Sequence, residues 1–148
     1  MTTKLDKLLD WYSTLTPESV RRVAEFYGPD AHFRDPFNDV RGTQAIQGIF
    51  DHMFETTENP RFVIKDRMIQ DNQGFATWLF EFDLRGKHYT VEGSSHIWFA
   101  PNGLVTAHRD YWDAAEELFE KLPFVGKLVR FLRKKFSATH RVNSRRMD

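Results

Sequence analysis

The stretch His108-Arg109-Asp110-Tyr111-Trp112-Asp113 places an imidazole and a carboxyl two residues apart. In an extended strand alternate side chains share a face, so His108, Asp110 and Trp112 point the same way. Burial raises a carboxyl pKa and a neighbouring imidazolium lowers it, and general acid–base catalysis uses such opposed tuning. A second carboxyl, Asp35, precedes Pro36, whose ring disfavours the helical region for the residue before it and so holds Asp35 extended. Two roles are open to Asp35: proton transfer, or closing the turn that follows it as an Asx turn. Asp110 and His108 likewise either act as an acid–base pair or form a satisfied buried network with Arg109 or Arg34. The sequence has no Cys, hence no thiol nucleophile and no disulfide framework, and its six His lack zinc-ligand spacing. No metal and no cofactor are expected.

The elements that must hold these groups follow from hydrophobic period. Leu5, Leu8, Leu9 and Tyr12 recur at helical spacing, and Thr16-Pro17-Glu18 supplies an N-cap and a first-turn proline for a second helix. That helix is expected to carry Val20, Val23, Ala24 and Tyr27 inward and to end at Gly28-Pro29. Ala31 to Arg34 reads as a short strand. A third helix opens near Gly42-Thr43 and buries Ile46, Ile49, Phe50, Met53 and Phe54. Beyond Asn59-Pro60 the period becomes two, in segments 61–70, 75–85, 88–99 and 104–113, with Gly74, Gly86 and Gly103 in the intervening turns. Sequential hairpins make a meander. The expected fold is therefore α+β, a cone-shaped curved antiparallel sheet covered by three N-terminal helices, with an extra C-terminal amphipathic helix.

At 148 residues and 41% hydrophobic, the chain suffices for one domain with a sizeable core. The 14 Phe and 4 Trp point to an aromatic-lined cavity, with Trp78, Phe80 and Phe82 as its wall. The formal charge is zero, but it is unevenly placed. From Ala114 onward nine Lys and Arg face four Asp and Glu, a net +5 against −5 for the residues before. An acidic body argues against a nucleic-acid footprint. The divisions expected are a folded domain at 1–113, an amphipathic helical extension at 114–136 and a disordered tail at 137–148. The extension, with Leu118, Leu122, Val125, Leu128 and Leu132 on one stripe, is expected to close the cone or meet a partner subunit. Its basic face also allows weak contact with an anionic membrane surface. No signal-like start or membrane-length apolar run is seen, so a cytoplasmic protein is expected. Ile97 and Phe99 are placed on the outer sheet face, which is expected to form a homodimer.

Phe33-Arg34-Asp35-Pro36, followed by Arg41-Gly42-Thr43-Gln44-Ala45-Ile46 at the start of the third helix, resembles the ketosteroid isomerase and SnoaL-like branch of the nuclear transport factor 2 superfamily. The resemblance spans residues 4 to 113. It implies that Asp35 matches the isomerases' general base and that the face of His108, Asp110 and Trp112 looks into the pocket. The isomerases' oxyanion hole, a Tyr on the first helix and a protonated Asp on a late strand, falls on Trp11 and Ser95 in an ungapped placement. Tyr12 substitutes if the helix register differs by one. Neither Trp nor Ser matches the proton affinity of an enolate, so steroid isomerisation is not expected. SnoaL-like cyclases use a pocket Asp without metal or cofactor, which implies Asp110 with Asp35 or His108 as partner. The resulting expectation is a cofactor-independent isomerase, cyclase or hydratase acting on a small apolar molecule. Its catalytic residues would be Asp35, Asp110 and His108, and its ligand contacts Trp11, Tyr12, Trp78, Phe80, Phe82, Ser95, His96 and Trp112. His96 alternates with Ser95 and is expected to face away from the cone. A non-catalytic binding module or a dimeric interaction module of the same fold is the alternative.

Overall fold

Thr3 opens helix α1 (Lys4–Ser13) through a capping box, its hydroxyl accepting from the Asp6 N–H while the Asp6 carboxylate accepts from the Thr3 N–H. This is a computed structural model, and it describes residues 1–113; the expectations for 114–136 and 137–148 lie outside the described residues. A 3-10 helix (Ser19–Glu25) follows, then strands β1 (Tyr27–Arg34) and β2 (Asp39–Arg41), helix α2 (Thr43–Thr56), and strands β3 (Glu58–Gln70), β4 (Gln73–Leu84), β5 (Lys87–Phe99) and β6 (Val105–Tyr111). Three helices cover one six-stranded sheet of order β2-β1-β6-β5-β4-β3. The α+β architecture matches the sequence reading with one amendment. β1 runs parallel to β6, so the sheet is mixed and not wholly antiparallel.

The second helix is shorter and differently wound than expected. Ala24 is exposed, and Tyr27 belongs to β1, with Gly28-Pro29 inside the strand. Tyr27 pairs with Val105 of β6, and its almost fully buried ring enters the core from the sheet. In α2 four of the five expected stripe residues, Ile46, Ile49, Phe50 and Met53, are buried against the sheet, each side chain stabilising by ~1.5–3 kcal/mol, while Phe54 is half-buried.

The meander's turns decide which face each strand shows. At the β3–β4 hairpin the positive φ falls on Asp71, at 54°, while Gly74 lies in β4 under Leu5 of α1. The β4–β5 turn uses Arg85 and Gly86, both with positive φ, as a tight hairpin with matching twist requires. Ile97 and Phe99 have the parity of Ser95 and therefore point inward, 0% and 3% exposed. That corrects their placement on the outer face and removes them from any homodimer contact. The outer face instead carries His96 stacked between Phe75 and Trp98, at 4.1 and 3.6 Å. Among the described residues no helix is long and apolar enough to cross a membrane.

Trp78 and Gly93 are directly opposed on β4 and β5, and a Cβ at Gly93 would stand 2.4 Å from the Trp78 ring. Only glycine lets the indole lie flat on the neighbouring strand. Gly93→Ala is expected to lower stability by about 1–3 kcal/mol through overpacking, read as an earlier urea midpoint with altered tryptophan fluorescence. An unchanged midpoint and spectrum would contradict the seating of Trp78 on Gly93.

Candidate active site

Between the helices and the sheet lies a cavity of about 110 Å³. Tyr12 reaches it from α1, Phe50 and Met53 from α2, and Phe62, Trp78, Phe80 and Phe82 from β3 and β4. Phe33, Asp35 and Asn38 enter from the end of β1 and the turn after it, and Asp110 and Trp112 from β6 and the residues following it. The two carboxyls are its only acidic groups, and no Lys or Arg lines it among the described residues.

Asp110 sits at the centre of a hydrogen-bond network. Its Oδ1 accepts from the Ser95 hydroxyl and lies 2.6 Å from His108 Nε2. Ser95 Oγ in turn accepts from the Trp78 indole N–H at 2.9 Å. On its other side, His108 Nδ1 is 2.6 Å from the Tyr27 hydroxyl, which is 2.6 Å from that of Tyr12. Burial, first of all, holds both phenols well above the ordinary tyrosine pKa, so both stay protonated.

Proton placement along this chain follows from what each atom can do. An ionised Asp110 only accepts, so Nε2 of His108 carries a proton. In the neutral imidazole, Nδ1 then accepts from Tyr27, and Tyr27 accepts from Tyr12. That turns the lone pairs of Tyr12 towards the cavity. If His108 becomes cationic the chain reverses, and Tyr12 donates into the cavity instead.

Asp35 closes its own turn and still faces the cavity. Its Oδ1 accepts from the backbone N–H of Phe37 at 2.8 Å and of Asn38 at 2.6 Å, and the Asn38 amide donates to both oxygens at 3.1 Å. The Asx turn and the position on the wall thus coexist. Burial, followed by the charge of Asp110, pushes its pKa up to about 6, against the lowering effect of those hydrogen bonds.

Of the residues singled out from sequence, Asp35, Asp110, Tyr12, Trp78, Phe80, Phe82 and Trp112 line this cavity. His108 and Ser95 lie behind Asp110. Two do not belong. Trp11 stacks on Phe26 at 4.9 Å and donates its indole N–H to the Ser19 carbonyl, so the helix register differs by one and Tyr12 takes the inward place. His96 bonds Gln73 on the outer face. Sequence reasoning missed Tyr27, read as a helical core residue, and Asn38, whose place three residues after Asp35 was the available signal. Among the described residues no group of three or more His, Cys, Asp or Glu side chains is placed to hold a metal ion.

The model of the SnoaL-like domain matches residues 8–108, about two thirds of the chain, from within α1 to within β6. The chain belongs to the SnoaL-like family. No curated protein matches this SnoaL-like chain closely enough to count as a relative. Solved structures share its fold at low identity. A Catenulispora acidiphila protein of ketosteroid isomerase-like fold, in complex with trimethylamine, is 14% identical with a TM-score of 0.68, covering 81% of this chain and 93% of its own. An epoxide hydrolase from M. tuberculosis, described as LEH-like, is 14% identical with a TM-score of 0.66, covering 79% and 86%. TerC, co-crystallised with polyporic acid, is 18% identical with a TM-score of 0.67, covering 80% and 98%.

The raised Asp35 pKa has a measurable sign. The folded state holds the Asp35 proton up to about pH 6, whereas the unfolded chain releases it near its ordinary 3.8. Stability contributed by this group is therefore full below pH 3.8 and lost as pH rises to about 6. Asp35→Asn, which does not titrate, is expected to remove that decline. Urea unfolding across this window checks it; identical pH profiles for the two proteins would contradict the assignment.

Proposed function

We propose that this SnoaL-like protein is a cofactor-independent enzyme that moves a proton on a small apolar substrate, in a reaction of isomerase, cyclase or hydratase type. One observation carries the reading: Asp35 and Asp110 share one apolar cavity, and Asp35 has a pKa of about 6. A group poised near the working pH is present in both forms and transfers a proton in either direction at least cost. As carboxylate, Asp35 takes a proton from a substrate C–H or from water, and as acid it returns that proton to another atom of the same molecule. Burial first, and then the neighbouring charge of Asp110 held by Ser95 and His108, make Asp35 basic enough for this task. Tyr12 also lines the cavity, and its hydroxyl donates there to a developing oxyanion when His108 is cationic.

The named activities among proteins of this fold support the class and not the substrate, since fold alone does not fix function. Incubation with a panel of small apolar ketones and enones, with and without a protonated amine, in heavy water tests the reading. Deuterium is expected to enter the carbon next to the carbonyl, with a rate rising through about pH 6 as Asp35 ionises. Asp35→Asn is expected to reduce that rate by roughly 10²–10⁴-fold. Exchange as fast in Asp35→Asn as in the unaltered protein, or none by the unaltered protein on any member of the panel, would contradict it.

A further inference from the structure

Hydrogen-bond capacity around the cavity is one-sided. The Trp78 indole N–H is committed to Ser95, and the Asn38 amide donates to both Asp35 oxygens. Thr56 and Thr57 each donate their hydroxyl proton to a backbone carbonyl within α2, those of His52 and Met53. With His108 neutral, the Tyr12 proton goes to Tyr27, so its oxygen also meets the cavity as an acceptor. The rim indole of Trp112 aside, no lining side-chain donor among the described residues is left for a ligand, while two carboxyl groups and several aromatic faces are. A neutral carbonyl compound would find few partners there, and an anion would meet two like charges. An ammonium group satisfies both carboxylates and gains from the π faces around it.

We propose that the cavity selects small apolar molecules that carry one protonated amine, received by Asp35 and Asp110 with the aromatic wall enclosing the rest. This rests on the reading of the cavity as the active site and names its substrate class. The cation compensates a pair of carboxylates that no Lys or Arg among the described residues neutralises. It also fits the network's geometry, because among the described residues every hydrogen bond of Asp110 uses Oδ1, leaving Oδ2 for the incoming N–H.

Calorimetric titration of the full chain with benzylamine, benzyl alcohol and benzoate separates charge from size, since the three probes share one ring and differ at one substituent. In mildly alkaline buffer benzylamine is expected to bind at least about tenfold more tightly than benzyl alcohol, and benzoate not measurably. In Asp35→Asn and in Asp110→Asn the ratio of benzylamine to benzyl alcohol affinity should shrink severalfold. Benzyl alcohol or benzoate binding as tightly as benzylamine overturns the proposal, as does failure of all three to bind. If the amine preference is absent but deuterium still enters a ketone in an Asp35-dependent way, the amine class alone falls and the acid–base site stands. If the preference is present and no exchange occurs on any substrate, the cavity is an amine-binding site and the catalytic reading falls.

Discussion

The Asp110 carboxylate, anchored through one oxygen inside an otherwise apolar cone, is the interaction from which the rest of the site follows. A charge in such surroundings is tolerated only with good hydrogen bonds, and Ser95 and His108 provide them. Each donor needs its own support. Ser95 is oriented by the Trp78 indole, which lies flat because Gly93 has no side chain. His108 is oriented by Tyr27 and, through it, by Tyr12 of the first helix. Five elements therefore converge on one oxygen, and the charge they hold adds to burial, the larger cause, in raising the pKa of Asp35 across the cavity.

The same convergence explains why β1 pairs in parallel with β6. Placing β1 beside β6 puts Phe33 opposite His108 and brings the Asp35 turn to the mouth of the cavity near Asp110. An antiparallel neighbour would leave the turn at the other end of the sheet. α2 then crosses from β2 at one edge to β3 at the other, and its buried stripe roofs the space between. Topology here serves the placement of two carboxyls.

Period-based reasoning found the helices, the meander and the inward face of β6 because long alternating segments leave little freedom. It failed where one residue of register matters. Trp11 and Tyr12 are both apolar enough to face the core, and only the stacking of Trp11 on Phe26 decides which one turns to the cavity. Gly74 sits beside a turn that Asp71 makes, since Asp tolerates positive φ and Gly74 is needed for the close approach of Leu5. Ile97 and Phe99 were misplaced although Ser95 fixes their parity. Asp35 was legible from Pro36, but its two roles at once depend on Asn38, a partner only the folded turn reveals.

The account stands or falls on electrostatic communication between the two carboxyls. Carbon-13 NMR of the Asp35 side-chain carboxyl, followed as a function of pH in the unaltered chain and in Asp110→Asn, measures it directly. A midpoint of about 6 is expected in the unaltered chain, moving down towards the ordinary 3.8 when the Asp110 charge is removed. A midpoint already near 3.8, or one that Asp110→Asn leaves in place, would contradict it.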